Sequence, residues 1–76
     1  MTSVEIKLTS IQDIHAFVGI VSGHEMEVDL SSGRYVVNAK SIMGILSLDL
    51  AKPVMLTAHA DDCDRLLNDL SEYIVK

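Results

Sequence analysis

The sequence is poor in cysteine, in basic residues and in long apolar runs. Cys63 is the single cysteine, so an internal disulfide is excluded and a reducing compartment is favoured. Six Lys and Arg residues stand against eleven Asp and Glu, giving a net charge of −5, and the six are scattered along the chain. Because nucleic-acid binding needs clustered Lys and Arg, that class of partner is excluded.

Several other signals are missing. No stretch approaches the roughly 20 apolar residues of a membrane span, and the segment Met1–Glu5 does not begin a signal peptide. The His, Cys and acidic residues lack metal-ligand spacing, and neither a phosphate-cradling glycine loop nor a nucleophile elbow is present. We therefore expect a cytoplasmic protein that uses no membrane, metal or cofactor.

What is present is enough for one packed domain over residues 1–76, because 49% of the residues are hydrophobic. Alternation over Val4–Leu8 predicts a first strand. Ser10 and Asp13 form a capping box and Gly23 marks a stop, so a helix is predicted over Ile11–Ser22. Its apolar stripe consists of Ile11, Ile14, Val18 and Val21, with Phe17 at the edge.

The middle of the chain predicts a hairpin, a short helix and a fourth strand. The strand around Met26–Leu30 and the strand Arg34–Ala39 flank a turn at Ser31–Gly33. A short helical segment follows over Ile42–Leu48, and alternation over Val54–His59 predicts the fourth strand.

The last segment predicts an amphipathic helix that opens at Asp61 and Asp62. Its apolar positions are Cys63, Leu66, Leu67, Leu70 and Ile74. The order β-α-β-β-α-β-α predicts an α+β fold, a four-stranded antiparallel sheet with three helices on one face. Two architectures fit this order: an open-faced β-sandwich, and the ferredoxin-like fold of small-molecule-binding regulatory domains such as ACT modules.

A resemblance to a known family rests on the run Lys40-Ser41-Ile42-Met43-Gly44. The run continues through Ile45-Leu46-Ser47-Leu48 to Lys52 and then to Thr57-Ala58-His59-Ala60-Asp61, without gaps. From Val4 to Ile74, and most strongly from Gly33 to Asp61, the chain resembles the HPr family of the bacterial sugar phosphotransferase system. The resemblance implies the HPr-type open-faced sandwich, a bacterial cytoplasmic setting and a phosphocarrier or regulatory protein, not an enzyme.

The resembled family accepts phosphate from enzyme I on a histidine at the start of helix 1, followed after one residue by Arg-Pro. Counted back without gaps from Ser41, the histidine position falls on Ser10, and the Arg-Pro positions fall on Gln12 and Asp13. All three motif residues are thus absent. An acidic Asp13 would also repel an incoming phosphate.

A second placement of the motif uses Ile14-His15-Ala16 but meets Phe17-Val18 where Arg-Pro is expected. A helix opening at His15 would have only about two turns, and short helices are poorly stable. With Ser10 as the cap, the helix has a start signal, a stop signal and a continuous stripe, so the first placement is favoured. His15 is then a mid-helix surface residue, with the alternative that it is a relocated phosphate acceptor.

Ser41 is the stronger functional candidate. The resemblance implies that this serine is phosphorylated by an ATP-dependent kinase to regulate carbon metabolism, whereas a plain helix N-cap explains it equally well. The adjacent Lys40 is placed to pair with a phosphate. The resemblance also implies that Met43 and Leu46 lie on a partner-docking helix, against the alternative that one of them is core.

Three functions are consistent with these residues. The first is an HPr-like regulatory protein that docks to partners and is switched at Ser41, without histidine phosphotransfer. The second is a working phosphocarrier that uses His15, and the third is a ferredoxin-like ligand-binding domain. The implied partners are proteins of the enzyme I, HPr kinase or transcription-regulator kind. Exposed sheet edges and Ile20, opposite the core stripe, also leave a homodimer open.

Overall fold

The computed structural model describes residues 1–75, which form four strands and three helices in the predicted order. The elements are β1 (Thr2–Ile6), α1 (Ile11–Ser22), β2 (Glu27–Ser32), β3 (Tyr35–Asn38), α2 (Ile42–Leu46), β4 (Val54–His59) and α3 (Asp64–Asp69).

The four strands form one antiparallel sheet in the order β1-β4-β2-β3. Leu56 of β4 lies between Val4 of β1 and Leu30 of β2, which fixes the register at the centre of the sheet. A ferredoxin-like sheet places its first strand in the interior, whereas β1 here is an edge strand. The ferredoxin-like alternative, and with it the ACT-type reading, is therefore wrong, and the open-faced sandwich is confirmed.

All three helices pack on one face of the sheet. Val54, Leu56 and Ala58 alternate toward that face and are buried, while Met55 and His59 on the opposite face are exposed. The buried residues of the strands and helices form a single apolar cluster, which is the core of a domain of this size. Within it the rings of Phe17 and Tyr73 meet edge to face, with centroids 6.1 Å apart.

The bounds of α1 are confirmed, but its buried face includes Phe17, which was predicted at the edge of the stripe, and leaves out Ile11. Ile14, Phe17 and Val21 are buried, whereas Ile11 is 63% exposed. Ile11 lies in the first turn, where it lines a groove shared with α2. Ile20 is half-buried and packs against the core.

The hairpin turn is shorter than predicted. Strand β2 continues through Ser32, which pairs with Tyr35, so the turn consists of Gly33 and Arg34 alone. Gly33 has a φ of 60°, in the left-handed region that glycine tolerates best. The prediction that placed the turn at Ser31–Gly33 and Arg34 in the strand is therefore wrong at these boundaries.

The short helix α2 ends two residues before the predicted Leu48. The Ser47 side chain ends it by donating a hydrogen bond to the Gly44 carbonyl, with Oγ and O 2.6 Å apart. The Ser47 backbone N–H also turns back to the Gly44 carbonyl, at 3.1 Å. Strand β4 has the predicted bounds, Val54–His59.

The last helix is much shorter than predicted, because the chain after it returns to the sheet. Helix α3 ends at Asp69, and Ile74 forms an isolated antiparallel bridge with Ile6 of β1. Lys7 N donates to the Tyr73 carbonyl at 2.8 Å on the same edge. Backbone pairing with an edge strand competes with helix formation, and the apolar Ile74 reaches the core from this bridge. Within residues 1–75 no helix is long and apolar enough to cross a membrane.

Candidate functional site

The start of α1 is closed by its own side chains. Ser10 is the N-cap, and its Oγ accepts a hydrogen bond from the Asp13 N–H at 3.0 Å. The Asp13 carboxylate in turn accepts from the Thr9 hydroxyl at 2.7 Å and from the Thr9 N–H at 3.1 Å. The acidic partner of the capping box therefore reaches Thr9, one residue before the predicted contact.

These hydrogen bonds favour the charged form of Asp13. The Thr9 hydroxyl and the Thr9 N–H hold the pKa of the Asp13 carboxyl below its ordinary value, with the Ser10 side chain adding to the effect. The carboxylate thus adds a negative charge close to the helix start, which disfavours the approach of a phosphate there. The Asp13 carboxylate is thus an anionic group of the chain itself at the start of α1.

The structure separates His15 from the start of α1. Ser10 precedes the first helical residue, Ile11, whereas His15 lies in the second turn with an exposed side chain. Backbone N–H groups in the second turn bond to the preceding turn, so the amides that hold a phosphate at a helix start are not offered to His15. The two candidate acceptor positions therefore differ: Ser10 lies at the helix start, where free amides are found, and His15 does not.

The start of α2 is built around Ser41. Its Oγ accepts from the Gly44 N–H at 3.1 Å, and its carbonyl accepts from the Ile45 N–H at 3.0 Å. Its own N–H donates to the Asn38 carbonyl at 3.0 Å. Ser41 is half-buried and its hydroxyl acts as an acceptor in this cap, so the hydroxyl proton is not used there.

Two residues that position Ser41 were missed by the sequence analysis. A Cβ at Gly44 would lie 3.1 Å from the Cβ of Val37 and 3.3 Å from the Oγ of Ser41, so only glycine fits without displacement. Asn38 holds the loop before the helix, accepting from the Lys40 N–H on its side-chain oxygen at 2.8 Å. The glycine was visible in the motif, but the close approach of α2 to β3 was not.

Lys40 does not direct its ammonium group toward Ser41. Its Nζ donates to the His24 carbonyl at 2.7 Å in a half-buried position. The His24 ring, through Nε2, lies 3.0 Å from the Asp69 carboxylate of α3. Lys40 therefore connects the loop before α2 to the loop after α1, a tertiary contact that adjacency in sequence does not indicate.

Exposed apolar side chains lie at the start of α1 and along α2. Met43 is 79% exposed and Leu46 is 49% exposed, so neither is core, and the buried residue of α2 is Ile45. Leu46 and Ile11 line a groove of about 360 Å³ that Ser10 also borders. We call the exposed set Ile11, Met43 and Leu46 the docking surface, after the role that is proposed for it below. The structure thus brings the start of α1, at Ser10, and the end of α2, at Leu46, to one groove.

These features define a class, the small open-faced sandwiches that present two capped helix starts beside an apolar surface. The family model described as "PTS HPr component phosphorylation site" matches residues 3–76. The chain belongs to the HPr family of the phosphotransferase system. Proteins of this family are phosphocarriers rather than catalysts.

Solved structures agree with the family assignment. HPr-C-His from Thermoanaerobacter tengcongensis is 31% identical, with 93% of this chain and 85% of that chain covered and a TM-score of 0.74. The phosphocarrier protein HPr from Bacillus anthracis str. Ames is 26% identical, with 97% and 94% covered and a TM-score of 0.72. Crh, the catabolite repression containing protein of Bacillus subtilis, is 26% identical, with 96% and 90% covered and a TM-score of 0.65; it is a swapped-domain dimer.

Proposed function

We propose that this protein is a cytoplasmic, HPr-like regulator that binds partner proteins, carries no phosphate on histidine, and is switched by phosphorylation of Ser41. The observation that carries the proposal is the contrast between the two helix starts. At α1 the carboxylate of Asp13 is held beside the helix start by Thr9, where its charge repels a phosphoryl group. At α2 the serine motif from Lys40 to Gly44 is complete.

The loss of histidine transfer follows from charge and geometry. A phosphoryl group approaching Ser10 would meet the Asp13 carboxylate, and the Arg and Pro positions of the family motif are occupied by Gln12 and Asp13. His15 offers an exposed imidazole, but no helix-start amides lie beside it to stabilise the transferred charge. Neither position therefore reproduces the family's acceptor site.

Phosphorylation at Ser41 is compatible with the local structure. The Oγ that would bond to phosphorus already lies 3.1 Å from the Gly44 N–H, so an added phosphate oxygen finds a donor nearby. In the transfer the Oγ–P bond forms as the bond between the ATP γ-phosphorus and its leaving oxygen breaks. ADP leaves, and the serine proton passes to a base of the kinase.

The modification would change what the docking surface binds. Ser41 begins the helix that presents Met43 and Leu46, so a phosphate adds nearly two negative charges beside exposed apolar side chains. An unmodified surface favours an apolar partner. The phosphorylated surface favours a partner with an apolar centre and basic residues at its rim, as some transcription regulators present.

Ser41→Ala tests the proposal. We expect an HPr-type kinase with ATP to add one acid-stable phosphoryl group to the wild-type chain and none to Ser41→Ala, as read by intact mass. Loss of the cap costs about 1 kcal/mol of stability, so Ser41→Asp, which keeps a capping oxygen, serves as the second unmodifiable variant. Ser47→Ala, at the other end of α2, is the matched control and keeps the modification.

Two results would count against the Ser41 switch. The first is phosphate uptake by Ser41→Ala and Ser41→Asp at the wild-type rate. The second is no uptake by the wild-type chain under conditions in which the kinase labels an authentic HPr.

A further inference from the structure

The basic side chains divide into engaged and free groups. Lys7 and Lys40 donate hydrogen bonds to backbone carbonyls. Within residues 1–75, Arg34, Lys52 and Arg65 take part in no ion pair and no side-chain hydrogen bond, since both ion pairs there are formed by histidines. In a chain with a net charge of −5, unpaired cations that lie together are a local exception to the overall field.

Two of the free cations line one cleft. Arg34 of the hairpin turn and Lys52 of the loop before β4 border a cavity of about 480 Å³, which we call the Arg34–Lys52 cleft. Tyr35, a residue that is 71% exposed, and the polar residues Ser47 and Asp49 also line this cleft. The volume falls within the range of about 300 to 1,000 Å³ typical of small-molecule sites.

Both cations stand on segments that are held in place. Arg34 is the second residue of a two-residue turn, after Gly33 at a φ of 60°. Lys52 lies between Pro53, which fixes its own φ, and Ala51, whose N–H donates to the Asp49 carboxylate at 3.1 Å. Lys7 also bonds to the Ala51 carbonyl. Held backbones reduce the conformational entropy that binding must remove.

The remaining groups indicate what kind of ligand fits. The Asp49 carboxylate repels a bare anion but accepts hydrogen bonds from hydroxyl groups. The Ser47 hydroxyl donates to Gly44, which leaves its oxygen lone pairs available as acceptors. The Tyr35 ring offers an apolar surface for a short carbon chain. The cleft therefore has a cationic end, hydroxyl acceptors and an aromatic wall.

We propose that the Arg34–Lys52 cleft binds a small phosphate monoester of a polyol. Arg34 and Lys52 hold the phosphate through charge-assisted hydrogen bonds, Asp49 and Ser47 accept from the polyol hydroxyls, and Tyr35 covers the carbon chain. The loop that carries Lys52 also lines the α1–α2 groove through Ala51, so the ligand contacts a segment that borders the docking surface.

Titration of ¹⁵N-labelled protein with glycerol 1-phosphate at low ionic strength tests this site. We expect saturable amide shifts confined to residues 33–35 and 47–52, weakened by added salt. Arg34→Gln and Lys52→Gln are each expected to lower the affinity about tenfold. Arg65→Gln, which removes the free cation of a different cavity, is the matched control and leaves the affinity unchanged.

Asp49→Asn distinguishes a polyol phosphate from a bare anion. With the carboxylate neutralised, inorganic phosphate should bind more tightly and glycerol 1-phosphate should lose its advantage over it. The proposal is overturned if no saturable shift is seen, if Arg34→Gln and Lys52→Gln bind as the wild type does, or if inorganic phosphate binds the wild type as tightly as glycerol 1-phosphate. Shifts centred on Ser10 or Ser41 would also overturn it.

Discussion

At the residue scale, Thr9, Ser10 and Asp13 form one hydrogen-bonded group at the start of α1. The Asp13 carboxylate accepts hydrogen bonds from the Thr9 hydroxyl and N–H, and the Ser10 hydroxyl oxygen accepts one from the Asp13 N–H. The group caps α1 with a built-in negative charge. A helix start that holds its own carboxylate is stabilised without a bound phosphate, which supports the proposed regulator that carries none on histidine.

Replacing this carboxylate gives a pH-dependent prediction. Because the pKa of Asp13 is lowered in the folded state, its contribution to stability is present above the unfolded Asp pKa of about 3.9 and is lost as the pH falls through the folded value. Asp13→Asn should therefore be less stable than the wild type at neutral pH. The difference should shrink in acid, as measured by urea unfolding across pH.

Gln12→Ala is the control for this prediction. It changes an exposed residue of the same turn that does not titrate, so any change in stability should be independent of pH. A constant gap between Asp13→Asn and the wild type from neutral to acid pH would show that the Asp13 charge does not stabilise the helix start.

At the element scale, two glycines in helices have opposite roles. Gly44 of α2 lies against β3, where an added Cβ would approach Val37 to 3.1 Å, whereas Gly19 of α1 has nothing within 4 Å of the same position. Glycine lowers helix stability relative to alanine by a similar amount at both positions. The surroundings of each glycine therefore determine whether its replacement by alanine raises or lowers the free energy of unfolding.

Gly44→Ala should destabilise the protein by about 1 to 3 kcal/mol through overpacking, reduced by the helix propensity gained. Gly19→Ala should stabilise it by about 0.5 to 1 kcal/mol, since it gains propensity without a contact. Denaturant unfolding of the two variants side by side measures both. A stabilised Gly44→Ala would contradict the close packing of α2 on β3 that positions Ser41.

The elements also show what local sequence could predict. Helix α1 was located to the residue because its cap at Ser10 and its stop at Gly23 are local signals. The end of α3 was not, because the bridge between Ile74 and Ile6 joins opposite ends of the chain. A helical spacing of apolar residues continues through a turn that long-range pairing imposes, so periodicity alone overestimated that helix.

In the candidate site, the local motif could be predicted from the sequence, whereas the contacts between distant segments could not. Ser41 and its cap follow from the motif, and the exposure of Met43 agrees with a surface role. The direction of Lys40 toward His24 could not be predicted, because that contact depends on how two loops pack. The exposure of Ile11 was missed as well, since an apolar residue on the stripe of α1 can face either the core or the groove beside α2.

At the scale of the whole molecule, the sheet leaves one face to the helices and one to solvent. The core, the docking surface and the Arg34–Lys52 cleft all depend on the strand order β1-β4-β2-β3, which places the hairpin turn near the loop that follows α2. The family assignment identifies the fold with the HPr proteins. A shared fold does not by itself define function, so the proposal that this chain carries no phosphate on histidine requires a direct test.

The most direct test is intact mass after incubation with enzyme I and phosphoenolpyruvate, with an authentic HPr in the same tube. The account predicts that HPr gains a phosphoryl group and that this chain gains none, because Asp13 occupies the α1 helix start and His15 lacks the amides that would hold the charge. A single acid-labile phosphoryl group on this chain, removed by His15→Ala, would contradict the account and identify a working phosphocarrier.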